Sequence, residues 1–122
     1  MAYSGWELNE DSRNKLLKIF EPKFSDVIAH HITLKFPVKS NSDDPAQVEA
    51  EVVGYACDES LECLVVSVDG STERPDGKVF HITWSLERDD GRTPSQSNSL
   101  LKDGWEKVEP IKISVTPKIF KD

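Results

Sequence analysis

Two copies of one tripeptide carry the residues whose types best suit acid-base chemistry. The segments from His31 to Thr33 and from His81 to Thr83 both read His-Ile-Thr, and they hold two of the three histidines in the chain. Imidazole titrates near a pKa of about 6.5, so one copy can act as a base and the other as an acid near neutrality. Threonine hydroxyls can donate to phosphate oxygens as negative charge develops. The pair therefore favours phosphodiester chemistry without a metal.

Both tripeptides lie in predicted strands, where alternation places each histidine beside its threonine, about 6 to 7 Å along the strand. Two such pairs that face each other would form a symmetric cleft. Lys35 and Ser85 continue the two faces and could contact substrate, although a solvated lysine and an ordinary strand serine are equally good interpretations. His30 falls on the opposite face from His31 in a regular strand, so we exclude it from the site.

The rest of the chain predicts one α+β domain, residues 1–122, with antiparallel sheets and two short helices. Alternating and β-branched residues predict strands at 3–8, 27–36, 48–56, 61–68, 78–86 and 111–116. Asn9 is expected to cap a helix that ends before Pro22, and Thr93 to cap a shorter one that stops at Gly104. The polar segment from Pro37 to Gln47 predicts an exposed loop.

Charge and composition exclude several classes of function. The 122 residues have a formal net charge of −7, which repels long polyanions, so long duplex nucleic acid is not an expected partner. No apolar run approaches the roughly 20 residues of a membrane span, and no signal-like segment begins the sequence, so we expect a cytoplasmic protein without a membrane partner. Cys57 and Cys63 are expected to be buried thiols rather than a disulfide.

The two His-x-Thr motifs, each followed by an apolar residue, resemble those of the two-histidine (2H) phosphoesterase superfamily. Within it, the stretch from Tyr3 to Phe36 and the later Gly91-Arg92-x-Pro94-x-x-Ser97-Asn98 are similar to the group called Swiss Army Knife RNA repair-like proteins. This resemblance implies a bilobed fold with central motif strands, and no metal or cofactor. It also implies catalytic roles for His31 and His81 and phosphate contacts from Thr33 and Thr83.

The resemblance also implies a class of substrate. Relatives act on 2′,3′-cyclic phosphates, 2′-5′ linkages or small cyclic nucleotides, so the expected partner is a small nucleotide or an RNA end, bound by a monomer. The sequence leaves open which phosphodiester is cut, whether hydrolysis or ligation is the physiological direction, and which histidine is the base.

Other residues are candidates for substrate binding. Arg92 could clamp a phosphate, although nearby acidic residues (Glu87, Asp89, Asp90) offer it simpler ion pairs. Tyr3 and Trp105 could stack on a base, whereas Trp84 lies on the predicted buried face and is expected to be core.

Three alternatives compete with catalysis. A zinc site built from the histidines and cysteines is disfavoured because no closely spaced pair of ligands forms a clip. A non-catalytic nucleotide-binding or sequestering module could use the same cleft. An interaction domain could instead use the loop from Pro37 to Gln47 and the acidic surface.

Overall fold

Eight strands and two α-helices make up the computed structural model, which describes residues 2–121. In chain order these are β1 (Ala2–Leu8), α1 (Glu10–Ile19), β2 (Asp26–Val27), β3 (His31–Val38), β4 (Ala50–Cys57), β5 (Leu61–Val68), β6 (His81–Leu86), α2 (Ser97–Lys102), β7 (Glu106–Ile113) and β8 (Val115–Lys121). Single 3₁₀ turns lie at Arg88–Asp90 and Pro94–Gln96. All strand pairs are antiparallel, so the α+β class is shown. Within residues 2–121, neither helix has the length and apolar character to cross a membrane.

The strands form a five-stranded sheet, in the order β2-β6-β5-β4-β7, and a three-stranded sheet, in the order β3-β1-β8. The chain passes from the first sheet to the second between β2 and β3. The Ala29 amide still donates to Thr83 O on β6, at 3.0 Å, while the next carbonyl, that of His30, accepts from the Leu8 amide on β1, at 2.8 Å. A second crossing joins β7 to β8 at Ser114, whose carbonyl accepts from the Asn9 amide. The sheets are therefore joined at both edges.

One hydrophobic core lies between the two sheets and under α1. Both sheets and α1 contribute to it, through Trp6, Leu8, Leu16, Ile32, Val52, Leu64, Val66, Ile82 and Trp84. Trp84 is fully buried and its indole donates to Phe20 O at 2.7 Å, which confirms its predicted core position. A smaller cluster, which contains Cys63, Val65 and Leu101, packs α2 against the other face of the five-stranded sheet.

Several predicted elements are confirmed. The hairpin of β4 and β5 pairs around a short polar turn, in which the Asp58 carboxylate accepts from the amides of Ser60 and Leu61, both at 2.9 Å. The helix after Asn9 and the short helix after Pro94 are also present.

Other expectations were wrong in detail. The strand predicted over 27–36 is interrupted at residues 28–30, where the chain changes sheets, and β3 continues through Val38, so the loop begins at Lys39. Asn9 occupies the cap position of α1, but its side chain accepts from the Thr116 hydroxyl at 2.7 Å instead of capping the helix. Both cysteines are free, yet Cys57 is exposed because it ends β4 at the hairpin turn, and only Cys63 is buried.

Candidate functional site

The two His-x-Thr motifs lie on strands that come into contact where the sheets meet. Val27 pairs with Ser85, and two residues later the Ala29 amide donates to Thr83 O. The chain then leaves β6 for the other sheet, but β3 and β6 remain in contact, and His81 is close enough to act electrostatically on His31.

The two motif strands occupy different positions in their sheets. β6 is an interior strand, as the resemblance implies, whereas β3 is an edge strand of its sheet. The expectation that both are central is therefore wrong for β3, because the chain crosses between sheets immediately before it. The edge of β3 that lacks a partner in its own sheet is directed at β6, and these two strands are in contact.

The tautomer of His81 follows from a single contact. Its Nδ1 lies 2.8 Å from Val79 O, and since a carbonyl only accepts, Nδ1 carries the proton and Nε2 keeps its lone pair. Burial lowers the pKa of His81, the Val79 contact opposes that shift, and the charges of Arg74 and Lys78 lower it further. His81 is therefore a neutral ring with a basic Nε2.

His31 packs among aromatic rings. Its ring centroid lies 5.2 Å from that of Tyr3 and 5.0 Å from that of Phe120. Burial, with smaller effects from His30 and His81, lowers the pKa of His31 to about 4, against an opposing effect of Glu7. The His31 ring is therefore neutral at neutral pH.

His30 does not lie on the opposite face from His31, so the expectation that excluded it is wrong. Regular alternation begins only at His31, because the chain crosses between sheets at Ala29, whose φ is 43°. The Nδ1 atoms of the two rings are 3.1 Å apart. His30 Nε2 lies 3.3 Å from the Glu7 carboxylate, which also pairs with Lys118 Nζ at 3.5 Å. No local pattern in the sequence indicates this contact, because Glu7 reaches the two rings only through its pairing with His31 across β1 and β3.

The two motif threonines have different surroundings. Thr83 is buried, and its hydroxyl donates to Pro94 O at 3.2 Å and lies 2.9 Å from Ser97 Oγ. Since the one Thr83 proton is directed to a carbonyl, Ser97 is the donor in the second contact. Thr33 is partly buried, and its hydroxyl has no hydrogen-bond partner among residues 2–121. Of the two motif threonines, only Thr33 has a hydroxyl proton that no acceptor within residues 2–121 takes.

Of the predicted substrate-binding residues on the three-stranded sheet, Lys35 does not continue the motif face and Tyr3 contacts His31. Lys35 is exposed on β3, and a register shift between β1 and β3 separates it from Thr33. Tyr3 contacts the His31 ring and stacks on Phe120, with a centroid distance of 4.9 Å and an interplanar angle of 13°.

Two others are held in internal contacts. Ser85 is fully buried, donates to Glu62 and accepts from the Phe24 amide. Arg92 donates to Asp58 and Ser60. Burial raises the pKa of Asp58, but Arg92 and backbone donors outweigh that effect and hold it below its usual range. Both side chains therefore stabilise the structure around the second motif.

Arg74 is a potential site residue that sequence reasoning missed. Its side chain is only 5% exposed, Nη2 donates to Asp76 at 2.8 Å, and Nε is buried without a partner. Its charge acts on His81. The sequence from Pro75 to Gly77 predicts a turn, and it does not indicate that the arginine immediately before it is buried. A buried guanidinium with an unused donor is suited to an anion.

Two surface clefts have no histidine in their linings. Cavities of about 240 Å³ and 600 Å³ share Lys23, Tyr55 and Glu106 in their linings, and neither is lined by His31 or His81. No cluster of three or more His, Cys, Asp or Glu side chains within residues 2–121 is arranged to hold a metal ion.

Comparisons with protein-family models, with curated proteins and with solved structures found no match to this chain. Membership of the 2H superfamily thus stays a prediction.

Proposed function

We propose that this protein is a metal-independent phosphodiesterase of the 2H type, which acts on a 2′,3′-cyclic phosphate, a 2′-5′ linkage or a small cyclic nucleotide. The observation that carries the proposal is the contact of the two motif strands, β3 and β6, which brings His81 close enough to act electrostatically on His31. Two imidazoles on either side of one phosphorus can divide the work of base and acid.

The hydrolytic step balances with water as the only co-reactant. His81 Nε2 takes a proton from water, whose oxygen forms a bond to phosphorus, and the bond from phosphorus to a ribose oxygen breaks. His31 gives a proton to that ribose oxygen, so a cyclic phosphate becomes a phosphomonoester beside a free hydroxyl. Reversal of the same transfers gives cyclisation or ligation.

Two further groups supply the electrostatic part of the proposal. The Thr33 hydroxyl can donate to a non-bridging phosphate oxygen, and the buried Arg74 guanidinium adds positive charge beside His81. Thr83 would have to exchange its carbonyl partner for phosphate to play the same part. A bound phosphodiester carries negative charge, so it favours the protonated imidazole and offsets the burial that lowers both histidine pKa values.

The test is a panel of 2′,3′-cyclic, 2′-5′ and cyclic-dinucleotide substrates incubated with the protein in chelator and analysed by mass spectrometry. We expect turnover of at least one class, with His31→Asn and His81→Asn each reducing it by about 10²- to 10⁴-fold. Lys39→Gln, in the exposed loop after β3, serves as a control with full turnover. Thermal midpoints of all variants are measured in parallel, to separate a loss of chemistry from a loss of fold.

Each of the other outcomes of this assay excludes a different part of the proposal. Wild-type turnover in either histidine variant would overturn the mechanism. Saturable nucleotide binding without turnover across the panel would instead favour the sequestering module, and neither binding nor turnover would reject a nucleotide ligand at this site.

A further inference from the structure

Three side chains of the three-stranded sheet form a continuous line of contacts that the proposed chemistry does not yet use. The Glu7 carboxylate is 3.3 Å from His30 Nε2, and His30 Nδ1 is 3.1 Å from His31 Nδ1. His30 is about half exposed, at 49%, whereas His31 is mostly covered. A carboxylate, an accessible imidazole and a covered imidazole thus follow one another toward the motif.

Counting protons in this line fixes the tautomer of His31. Only one proton fits between two ring nitrogens that are 3.1 Å apart. When His30 is neutral and donates from Nε2 to Glu7, that proton belongs to His31 Nδ1. When His30 is protonated, both of its nitrogens carry protons, so His31 Nδ1 must accept and His31 carries its proton at Nε2. The charge of His30 therefore decides whether His31 Nε2 is a donor.

We propose that Glu7 and His30 form a positioning pair that supplies the proton which His31 delivers, so that His31 is the general acid and His81 the general base. This inference rests on the proposed phosphodiesterase function. It assigns the two histidines different roles although their motifs are identical, because His81 Nδ1 meets a carbonyl and His31 Nδ1 meets another imidazole.

The proton transfer balances across the line of contacts. Protonated His30 passes its Nδ1 proton to His31 Nδ1 while His31 Nε2 gives its own proton to the departing ribose oxygen. Both rings end neutral, with His30 Nε2 still donating to Glu7. His81 meanwhile holds the proton taken from water and returns it to solvent, from which His30 is recharged. His31 thus acts as an acid without holding a full positive charge in its covered position, where such a charge is costly.

The charged and titratable groups around the pair come from several elements. Lys118 on β8 shares the Glu7 carboxylate, at 3.5 Å. His81 on β6 acts electrostatically on His31, and Tyr3 on β1 contacts the His31 ring. Lys118 and His30 therefore share one carboxylate.

The first arm of the test needs no substrate. In ¹⁵N-labelled wild-type protein, imidazole spectra recorded across pH should show His31 moving its proton from Nδ1 to Nε2 at the same pH at which His30 becomes charged. Glu7→Gln should shift this tautomer change to lower pH, because an amide stabilises a charged imidazole less than a carboxylate does. Lys118→Gln should shift it to higher pH. A His31 tautomer that stays the same while His30 titrates would overturn the inference.

The second arm separates acid catalysis from the proposed function as a whole. Phosphodiesters with a ribose leaving group need a proton on the departing oxygen, whereas p-nitrophenyl esters of the same nucleotide need it far less. His30→Asn should reduce kcat at least tenfold for the ribose leaving group and by much less for p-nitrophenolate, while His81→Asn reduces both. Equal losses for the two leaving groups in His30→Asn would overturn the acid role, and no wild-type turnover of either would reject the proposed function itself.

Discussion

The neutral, covered state of His31 predicts that the folded protein loses stability between pH 7 and pH 5. The pKa of His31 is 6.5 in an open environment and about 4 in the folded chain. Between these values the unfolded chain binds the proton more strongly, so the free energy of unfolding falls as the pH falls. One pKa unit corresponds to about 1.4 kcal/mol, which gives a maximum of about 3 to 4 kcal/mol over the full interval and about 2 kcal/mol between pH 7 and pH 5.

Urea unfolding followed by tryptophan fluorescence at the two pH values measures this loss, because Trp6 and Trp84 are buried. His31→Asn cannot titrate, so its own loss between pH 7 and pH 5 should be smaller than that of the wild type by about 2 kcal/mol. Carboxylates such as Asp58, whose pKa lies below its usual range, titrate below this window. An unchanged pH dependence in His31→Asn would refute the assignment of a neutral, desolvated ring. His81→Asn should also reduce the loss, since burial lowers the pKa of His81 as well.

The remaining predictions concern turnover. The optimum of kcat/KM should lie below pH 6.5, because burial lowers the pKa of both His31 and His81 in the free protein; an optimum at pH 8 or above would contradict this. Thr83→Val should lower the free energy of unfolding by about 1 to 3 kcal/mol, because it leaves a buried partner unsatisfied. Thr33→Val should leave the free energy of unfolding nearly unchanged and reduce kcat. The reverse pattern, from urea titrations and rates, would show that the two roles are exchanged. Arg74→Met should raise KM for phosphodiesters and raise the pKa of His81 by removing a nearby positive charge; an unaltered KM would remove Arg74 from the site.

Local patterns in the sequence were sufficient to predict most strands, the hairpin and the face shared by each motif histidine and threonine. Alternation reports which side chains lie on one face of a strand, and that information is local. It could not show where a strand leaves one sheet for another, because the crossing at Ala29 depends on partners far along the chain, Thr83 on one side and Leu8 on the other. The contact of His30 with His31 was missed for the same reason.

Site residues outside the motifs were predicted less well, because the sequence gives their residue types but not their hydrogen-bond partners in the folded protein. Arg92 and Ser85 have suitable chemistry, but their donors are used by Asp58 and Glu62 inside the molecule. Arg74 belongs to a turn whose sequence gives no sign that its guanidinium is buried. Whether a polar group is available to a ligand depends on which of its hydrogen bonds are already made, and that is a property of tertiary structure.

The difference between the surroundings of the two motifs has one structural cause, which is the crossing of the chain between the sheets. If the strand of residues 26–38 continued regularly beside β6, His30 and His31 would point to opposite faces, and the two tripeptides would be related by symmetry. The crossing at Ala29 instead opens the sheet between β3 and β6 and turns His30 toward His31 Nδ1. The second motif begins an interior strand, and there Nδ1 of His81 meets the Val79 carbonyl instead of another ring. Identical residues thus receive different proton donors and acceptors, and a phosphodiesterase with a distinct acid and base requires such a difference.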